Sequence, residues 1–209
     1  MIITLMFYVI EGIDGAGCET QGKNLKEKLE RSFGSAQDDQ KKLQSVFLVK
    51  YPDYERNVGK LIKDFLYQNK NLNAEQQFLL YSLQFLMDKE MIAEKRKDGI
   101  LIADRYFTTT LCYQTLEGIR LEKALSFAED FGIEKPDLVF YIKVDPDVAI
   151  KRKRQEQKEK NRREKDFDFI RKTHKQYQML VEKQVWTRWV EINGERSIDE
   201  ITKDIYNRL

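Results

Sequence analysis

Two cysteines and a single histidine are all that this 209-residue chain holds of the residues that build metal cages and disulfide frameworks. Cys18 and Cys112 cannot staple a small secreted domain, so a reducing cytoplasm is the expected setting. His174 has no partners at zinc spacing, and no Ser/His/Asp arrangement suggests itself; a solvated helix surface is its expected place. Long apolar runs are missing too. Nothing approaches the ~20 residues of a membrane span. The apolar opening MIITLMFYVI has neither a basic segment before it nor a small-residue cleavage site after it, so it reads as a buried strand. Charge of one sign is also lacking: 37 basic residues face 35 acidic ones, a net +2. That argues against a nucleic-acid binder, and any basic function must be local.

What is present is strand and helix in alternation. Ile3–Ile10, Val46–Tyr51, Ile100–Ala103, Leu138–Val144 and Trp189–Ile192 are short and almost continuously apolar. That pattern suits parallel strands covered on both faces. The expectation is an α/β protein of one domain, residues 1–209, with a five-stranded parallel sheet and helices on both faces. A first helix should run from about Cys18 to Phe33, and Gly34–Gln40 should form a polar surface loop. Ala74–Lys97 reads as one long helix, with Phe78, Tyr81, Phe85 and Met91 at helical spacing. Pro136-Asp137 should start the fourth strand, and Asp145-Pro146 should end it and open the next helix. Lys151–Lys172 stands apart, with eleven Lys or Arg against five acids and almost nothing apolar before Phe167. It can bury little, so a solvated, mobile excursion is expected.

Gly12-Ile13-Asp14-Gly15-Ala16-Gly17 follows a strand and precedes a helix. Glycines there let successive N–H groups face one point, where the helix N-terminus adds positive potential; the loop is shaped for phosphates. The usual pattern is G-x-x-x-x-G-K-[ST]. Here Cys18 stands in place of Lys and Glu19 in place of the hydroxyl. Glu19 reads either as an oxygen ligand for Mg²⁺ or as a solvated first-turn acid. Cys18 reads either as an activated thiol at a helix N-terminus or as a small filler.

Ile10-Glu11-Gly12-Ile13-Asp14-Gly15-Ala16-Gly17, followed by Thr20-Gln21, resembles the opening of the thymidylate kinases, usually E-G-x-D-G-[AS]-G-K-[ST]-T-Q. Further segments match in order. They are Tyr51-Pro52-Asp53-Tyr54 with Gly59-Lys60-Leu61-Ile62; Asp104-Arg105-Tyr106 with Thr109 and Tyr113-Gln114; Pro136-Asp137-Leu138 on to Arg152; Arg162-Arg163-Glu164-Lys165-Asp166 with Tyr177; and Trp189–Gly194. The resemblance implies a three-layer P-loop kinase fold with an Arg-rich lid over about 152–166. It implies transfer of the γ-phosphoryl group of ATP to dTMP, for dTTP synthesis, with Mg²⁺ accompanying ATP.

By the same resemblance, Gly12, Ile13, Asp14, Gly15, Ala16, Gly17, Cys18, Glu19 and Thr20 would hold ATP. Arg105 would grip phosphate between donor and acceptor, and Asp104 would order Mg²⁺ through water. Asp14 would contact the acceptor sugar's 3′-hydroxyl, or else fix the loop's own N–H groups. One family branch carries a catalytic Arg where this chain has Gly15; the other draws on the lid. Here Arg152, Arg154, Arg162 or Arg163 would close over ATP, with Arg162 and either Arg152 or Arg154 preferred. Tyr81 would stack on the base. Tyr54, Thr109, Tyr113 and Gln114 would line the rest of the pocket. Phe85 occupies the place of an Arg that reads the base carbonyl. The departures at 18, 19 and 85 leave two alternatives: a nucleotide-binding protein with weak or lost transfer, or a kinase for another deoxynucleotide. Family members are usually homodimers that pack helices face to face, and the apolar face of Ala74–Lys97 is compatible with that. No membrane and no nucleic acid are expected as partners.

Overall fold

The structure is a computed structural model that describes residues 6–34, 45–68, 70–157 and 159–209. Its strands are β1 (Phe7–Glu11), β2 (Ser45–Lys50), β3 (Gly99–Asp104), β4 (Leu138–Lys143) and β5 (Arg188–Asn193). The helices are α1 (Cys18–Gly34), α2 (Asn57–Tyr67), α3 (Ala74–Met87), α4 (Lys89–Asp98), α5 (Phe107–Leu116), α6 (Leu121–Asp130), α7 (Pro146–Gln155), α8 (Arg162–Lys165), α9 (Phe167–Glu182) and α10 (Ile198–Tyr206). Among the described residues no helix is long and apolar enough to cross a membrane.

The five strands form one parallel sheet in the order β2-β3-β1-β4-β5. Every residue of β1 and β3 is buried, whereas the edge strands β2 and β5 expose their ends. Continuous hydrophobicity in the middle and partial exposure at the rim are what a sheet covered by helices requires. One layer of helices is α1 with α10; the other is built around α3, α5 and α9. The segments after all five strands therefore gather at one end, the carboxyl edge where open α/β sheets bind ligands.

The helices depart from expectation more than the strands do. β1 is described from Phe7; residues 3–5 of the expected strand and residues 35–40 of the loop expected over Gly34–Gln40 lie outside the described residues, and Gly34 closes α1. The fourth strand begins at Leu138, where its apolar run begins, and the Asp137 carboxylate just before it accepts from the Phe7 N–H at 2.7 Å. Ala74–Lys97 is two helices, not one. They part at Asp88, a buried carboxylate that accepts from Tyr51 OH at 2.9 Å and pairs with Arg56. A buried charge must find partners, and reaching these two interrupts the helix that the periodicity alone would continue.

The basic span is solvated only in part: Lys151, Arg154, Lys165, Arg171 and Lys172 are exposed, but other stretches are capped and packed. Asp145 caps α7 through the Asp147 N–H, and Asn161 caps α8 in a capping box with Glu164. Arg154 lies over the Phe167 ring, Arg162 over Phe65 and Arg163 over Phe169. Aromatic faces attract guanidinium groups and cover their apolar planes, so a segment with few apolar residues still packs.

Candidate active site

At the carboxyl edge of the sheet lies a cavity of about 970 Å³. Its floor is the loop between β1 and α1, with Ile13–Gln21 on the wall and Gly12 packed beneath against Ala16, Cys18 and Ile142. Gly15 and Gly17 both sit at φ 94°, which L side chains rarely adopt. A Cβ on Gly15 would also meet the Ala149 carbonyl of α7 at 2.6 Å. An arginine at position 15 would therefore collide with α7, and any arginine serving this cavity must come from elsewhere.

Asp104 and Arg105 leave the end of β3 into the same cavity. Arg105 holds φ at 63°, the left-handed region, which is strained for a residue with a side chain. The turn aims its guanidinium across the cavity floor. Nη2 donates to Asp14 Oδ1 at 2.8 Å, and Nη1 stands 3.9 Å from Glu11 Oε2. Burial works against the Arg105 charge, but Tyr113 and Asp14 beside it outweigh that and hold the group further above its ordinary range. Asp14 also accepts from Tyr113 OH at 3.4 Å. Its contacts are thus with Arg105 and Tyr113 rather than with the loop's own N–H groups.

Beneath Arg105 sits Glu11, fully buried at 0% exposure. It accepts from Thr108 Oγ1 at 2.6 Å, Thr109 Oγ1 at 2.8 Å, Tyr177 OH at 2.7 Å and the Tyr106 N–H at 3.3 Å. One carboxylate thus ties β1 to the start of α5 and to α9, and fixes the floor under the guanidinium. Glu11 was absent from the expected site residues, although an acid ending an otherwise apolar strand was the signal. Thr109 lines the cavity, but its hydroxyl is committed to Glu11.

Asp104 is 5% exposed, and burial pushes its carboxyl up to about 6, opposed by Arg105 and Lys50. Glu19 behaves in the opposite way. Hydrogen bonds from Lys23 at 2.7 Å and Lys50 at 2.6 Å hold its carboxyl down at about 2. Both of its oxygens are occupied by ammonium groups, so direct ligation of a metal would require one of them to leave. Cys18 is 6% exposed, and burial pushes its thiol well above the ordinary range. It is the small filler rather than an activated thiol. Cys112, fully buried, is raised for the same reason. Both thiols should therefore react with Ellman's reagent at least about 10²-fold more slowly in the native protein than in urea. A burst of one equivalent from the native protein would contradict the burial of Cys18.

The remaining expected residues divide. Tyr54, Tyr81, Tyr113 and Gln114 line the cavity, and Gln114 Oε1 is buried with no hydrogen-bond partner among the described residues. Phe85 is core, packed against Tyr51, Tyr106 and Phe107. Of the four lid arginines, Arg152, one of the two offered as companion to Arg162, lines the cavity, as does Arg163; Arg162 and the other candidate, Arg154, do not. Arg162 instead donates to the Lys70 carbonyl at 3.0 Å. Arg163 is anchored by Glu117 and by Gln77 at 2.8 Å, and Arg152 by the Gly194 carbonyl at 3.1 Å. His174 is half-buried, 3.3 Å from Tyr141 OH, and burial lowers its ring's affinity for a proton; it is not the solvated surface group expected.

The family model of thymidylate kinase matches residues 10–205. A thymidylate kinase of Danio rerio is 28% identical, over 94% of this chain and 86% of that protein. One of Dictyostelium discoideum is 29% identical, over 98% and 85%. A solved thymidylate kinase structure from Candida albicans superposes with a TM-score of 0.72 at 20% identity, covering 97% of this chain and 90% of the other. At that identity the superposition shows the fold alone.

Proposed function

We propose that this chain, which belongs to the thymidylate kinase family, moves the γ-phosphoryl group of ATP onto dTMP inside the cavity above its sheet. An oxygen of the dTMP phosphate attacks Pγ. The bond from Pγ to the bridging oxygen breaks, and its electron pair stays on ADP; dTDP is the other product. Such a transfer depends on positioning and charge stabilisation more than on covalent help from the protein. The whole chain works as one domain, with 152–166 as the lid.

The single observation that carries the reading is Arg105. It is a guanidinium held rigid by Asp14 and Glu11, at a strained turn, facing the loop that takes phosphates. A planar fork of donors matches phosphate oxygens on both nucleotides. Asp14, already beside Tyr113, is suited to accept from the acceptor's 3′-hydroxyl. Arg152 and Arg163 supply the lid's positive charge, in place of the side chain that Gly15 has no room for. Tyr81 offers the base a ring face. Gln114 Oε1 lacks a donor among the described residues, and the thymine N3–H is one. With Phe85 buried, reading of the base edge falls to Gln114.

Magnesium suits what is here. Mg²⁺ keeps most of its waters and needs only one or two carboxylates besides the nucleotide's phosphates, and Asp104 is a buried carboxylate on the cavity with Lys50 and Arg105 as its nearby cations. When bound with ATP, the ion neutralises charge on the β and γ oxygens. Two free, buried thiols suit a reducing cytoplasm.

The acceptor panel tests the reading. With Mg-ATP, dTMP should be turned over in preference to dCMP, dGMP and dAMP; preference for one of those over dTMP would overturn the assignment of the acceptor. Gln114→Leu should raise KM for dTMP by about tenfold, the worth of one hydrogen bond to a buried group, and leave KM for ATP within about twofold. We also propose a homodimer. Leu79, Leu83 and Met87 stand one turn apart on α3 with 56%, 42% and 59% of their surface exposed, and Leu61 of α2 is exposed as well. A second copy packing helix to helix would cover this stripe. Light scattering should give twice the chain mass, and Leu83→Lys should halve it; an unchanged mass in the variant would place the interface elsewhere.

A further inference from the structure

The loop at the head of α1 lacks the cation its shape calls for. Loops of this frame end in a Lys that meets the β- and γ-phosphates and a hydroxyl beside it. Here the first is a buried, uncharged thiol and the second a carboxylate that repels phosphate. The charge of the transferred group must still be met.

Besides Arg105 and Lys50, the cavity is lined by Arg152, Lys153, Lys160 and Arg163 of the lid and by Lys23 and Arg196. Arg152 is bound to the Gly194 carbonyl, Lys153 to Glu156 and Glu164, and Arg163 to Glu117 and Gln77. Lys23, also on the cavity wall, lies one turn down α1 from Glu19 and is bound to it at 2.7 Å. Lys50 differs. It is the last residue of β2, in register with Asp104 of β3, so its stem starts level with the strand ends. Its ammonium reaches across them to Glu19 Oε2 at 2.6 Å. The residue standing in place of the hydroxyl thus holds a lysine beside the loop that has lost its own. Glu19 is in turn anchored by Lys23 from the other side, so the bond to Lys50 keeps a fixed address.

We propose that Lys50 is the phosphate-neutralising lysine of this enzyme, delivered from β2 instead of from position 18, and that Glu19 is its positioning residue. The inference rests on the kinase reading above. The Cys18-Glu19 pair is then not a decayed motif. It is one half of a rearrangement whose other half lies 31 residues away along the chain. A lysine stem is flexible enough to swing its point charge from Glu19 to a phosphate oxygen once ATP enters, and bound phosphate offers the ammonium a partner with more charge than a carboxylate.

Suppression is the test. Lys50→Met should lower kcat at saturating dTMP by about 10²-fold and weaken Mg-ATP binding about tenfold, the range for losing one preorganised charge. Its melting temperature should stay within a few degrees of wild type, because Lys50 is half-exposed. Adding Cys18→Lys to Lys50→Met should restore at least about tenfold of the lost kcat. Glu19→Gln should lower kcat in the wild-type background and have no further effect in Lys50→Met. The proposal is overturned if Lys50→Met keeps kcat and Mg-ATP affinity within about threefold of wild type, less than one charged contact contributes. It is equally overturned if a natively folded Lys50→Met protein is not rescued by Cys18→Lys. Binding is read by titration with a fluorescent ATP analogue, which needs no turnover. Should the wild type bind ATP yet transfer nothing, the kinase reading fails, and the Lys50→Met titration still decides where the phosphates find their cation.

Discussion

Replacing Arg105 by Lys should lower kcat by about 10³-fold while the protein stays folded. The substitution keeps the charge and removes the fork. An ammonium can meet one phosphate oxygen at a time, whereas the guanidinium can bridge the transferred group and its acceptor. Two observations make the site intolerant of that change. Arg105 pays backbone strain at φ 63° to reach its position, and its fork is aligned by Asp14 on one side with Glu11 beneath. Steady-state kinetics with ATP and dTMP both saturating measures the effect. A loss of less than about tenfold would mean that the arginine only binds, since uniform binding lowers KM without changing kcat. Circular dichroism and a melting curve on the same sample separate loss of catalysis from loss of fold.

Glu11→Ala should be the most destabilising single substitution at the site, by about 3–5 kcal/mol. It deletes a fully buried carboxylate that accepts four hydrogen bonds, and it leaves Thr108, Thr109 and Tyr177 with hydroxyls facing a void. Unpaired buried donors and the cavity both add to the cost. For a chain of this size that corresponds to a fall in melting temperature of roughly 10 °C. Glu11→Gln keeps the volume and an acceptor oxygen, so it should cost much less stability, about 1–2 kcal/mol. It should still lower kcat, because the floor under Arg105 loses its charge. Urea denaturation of both variants checks the ordering. Equal stabilities for Glu11→Ala and wild type would show that the network beneath the site carries no load.

How far the sequence could be read follows from the kind of signal each element left. Leu138–Lys143 and Gly99–Asp104 were legible because strands covered on both faces must be apolar throughout. The strand-loop-helix frame around Gly12–Gln21 announced itself by glycines that only a tight turn needs. The break at Asp88 was invisible, since it depends on Tyr51 and Arg56, remote in sequence and brought near by β2 and the turn after it. Glu11 stood inside a quoted motif, yet its role rests on α5 and α9, whose distance from β1 no local pattern reports. The lid misled for a different reason. Counting charge against apolar residues treats arginine as something to be solvated, whereas Arg162 and Arg163 lie over the rings of Phe65 and Phe169. Composition could say that this segment was basic but not which guanidinium faces the cavity. Distant partners separate the two: Arg163 is held at the cavity by Glu117 and Gln77, and Arg162 by the Lys70 carbonyl and Phe65.

The most direct measurement is phosphorus NMR of the pure protein mixed with Mg-ATP and dTMP. The account predicts that ADP and dTDP appear together in equal amounts, with no inorganic phosphate, in spite of Cys18 and Glu19 at the head of α1. ADP accompanied by free phosphate, or ATP bound and left intact beside unchanged dTMP, would contradict it.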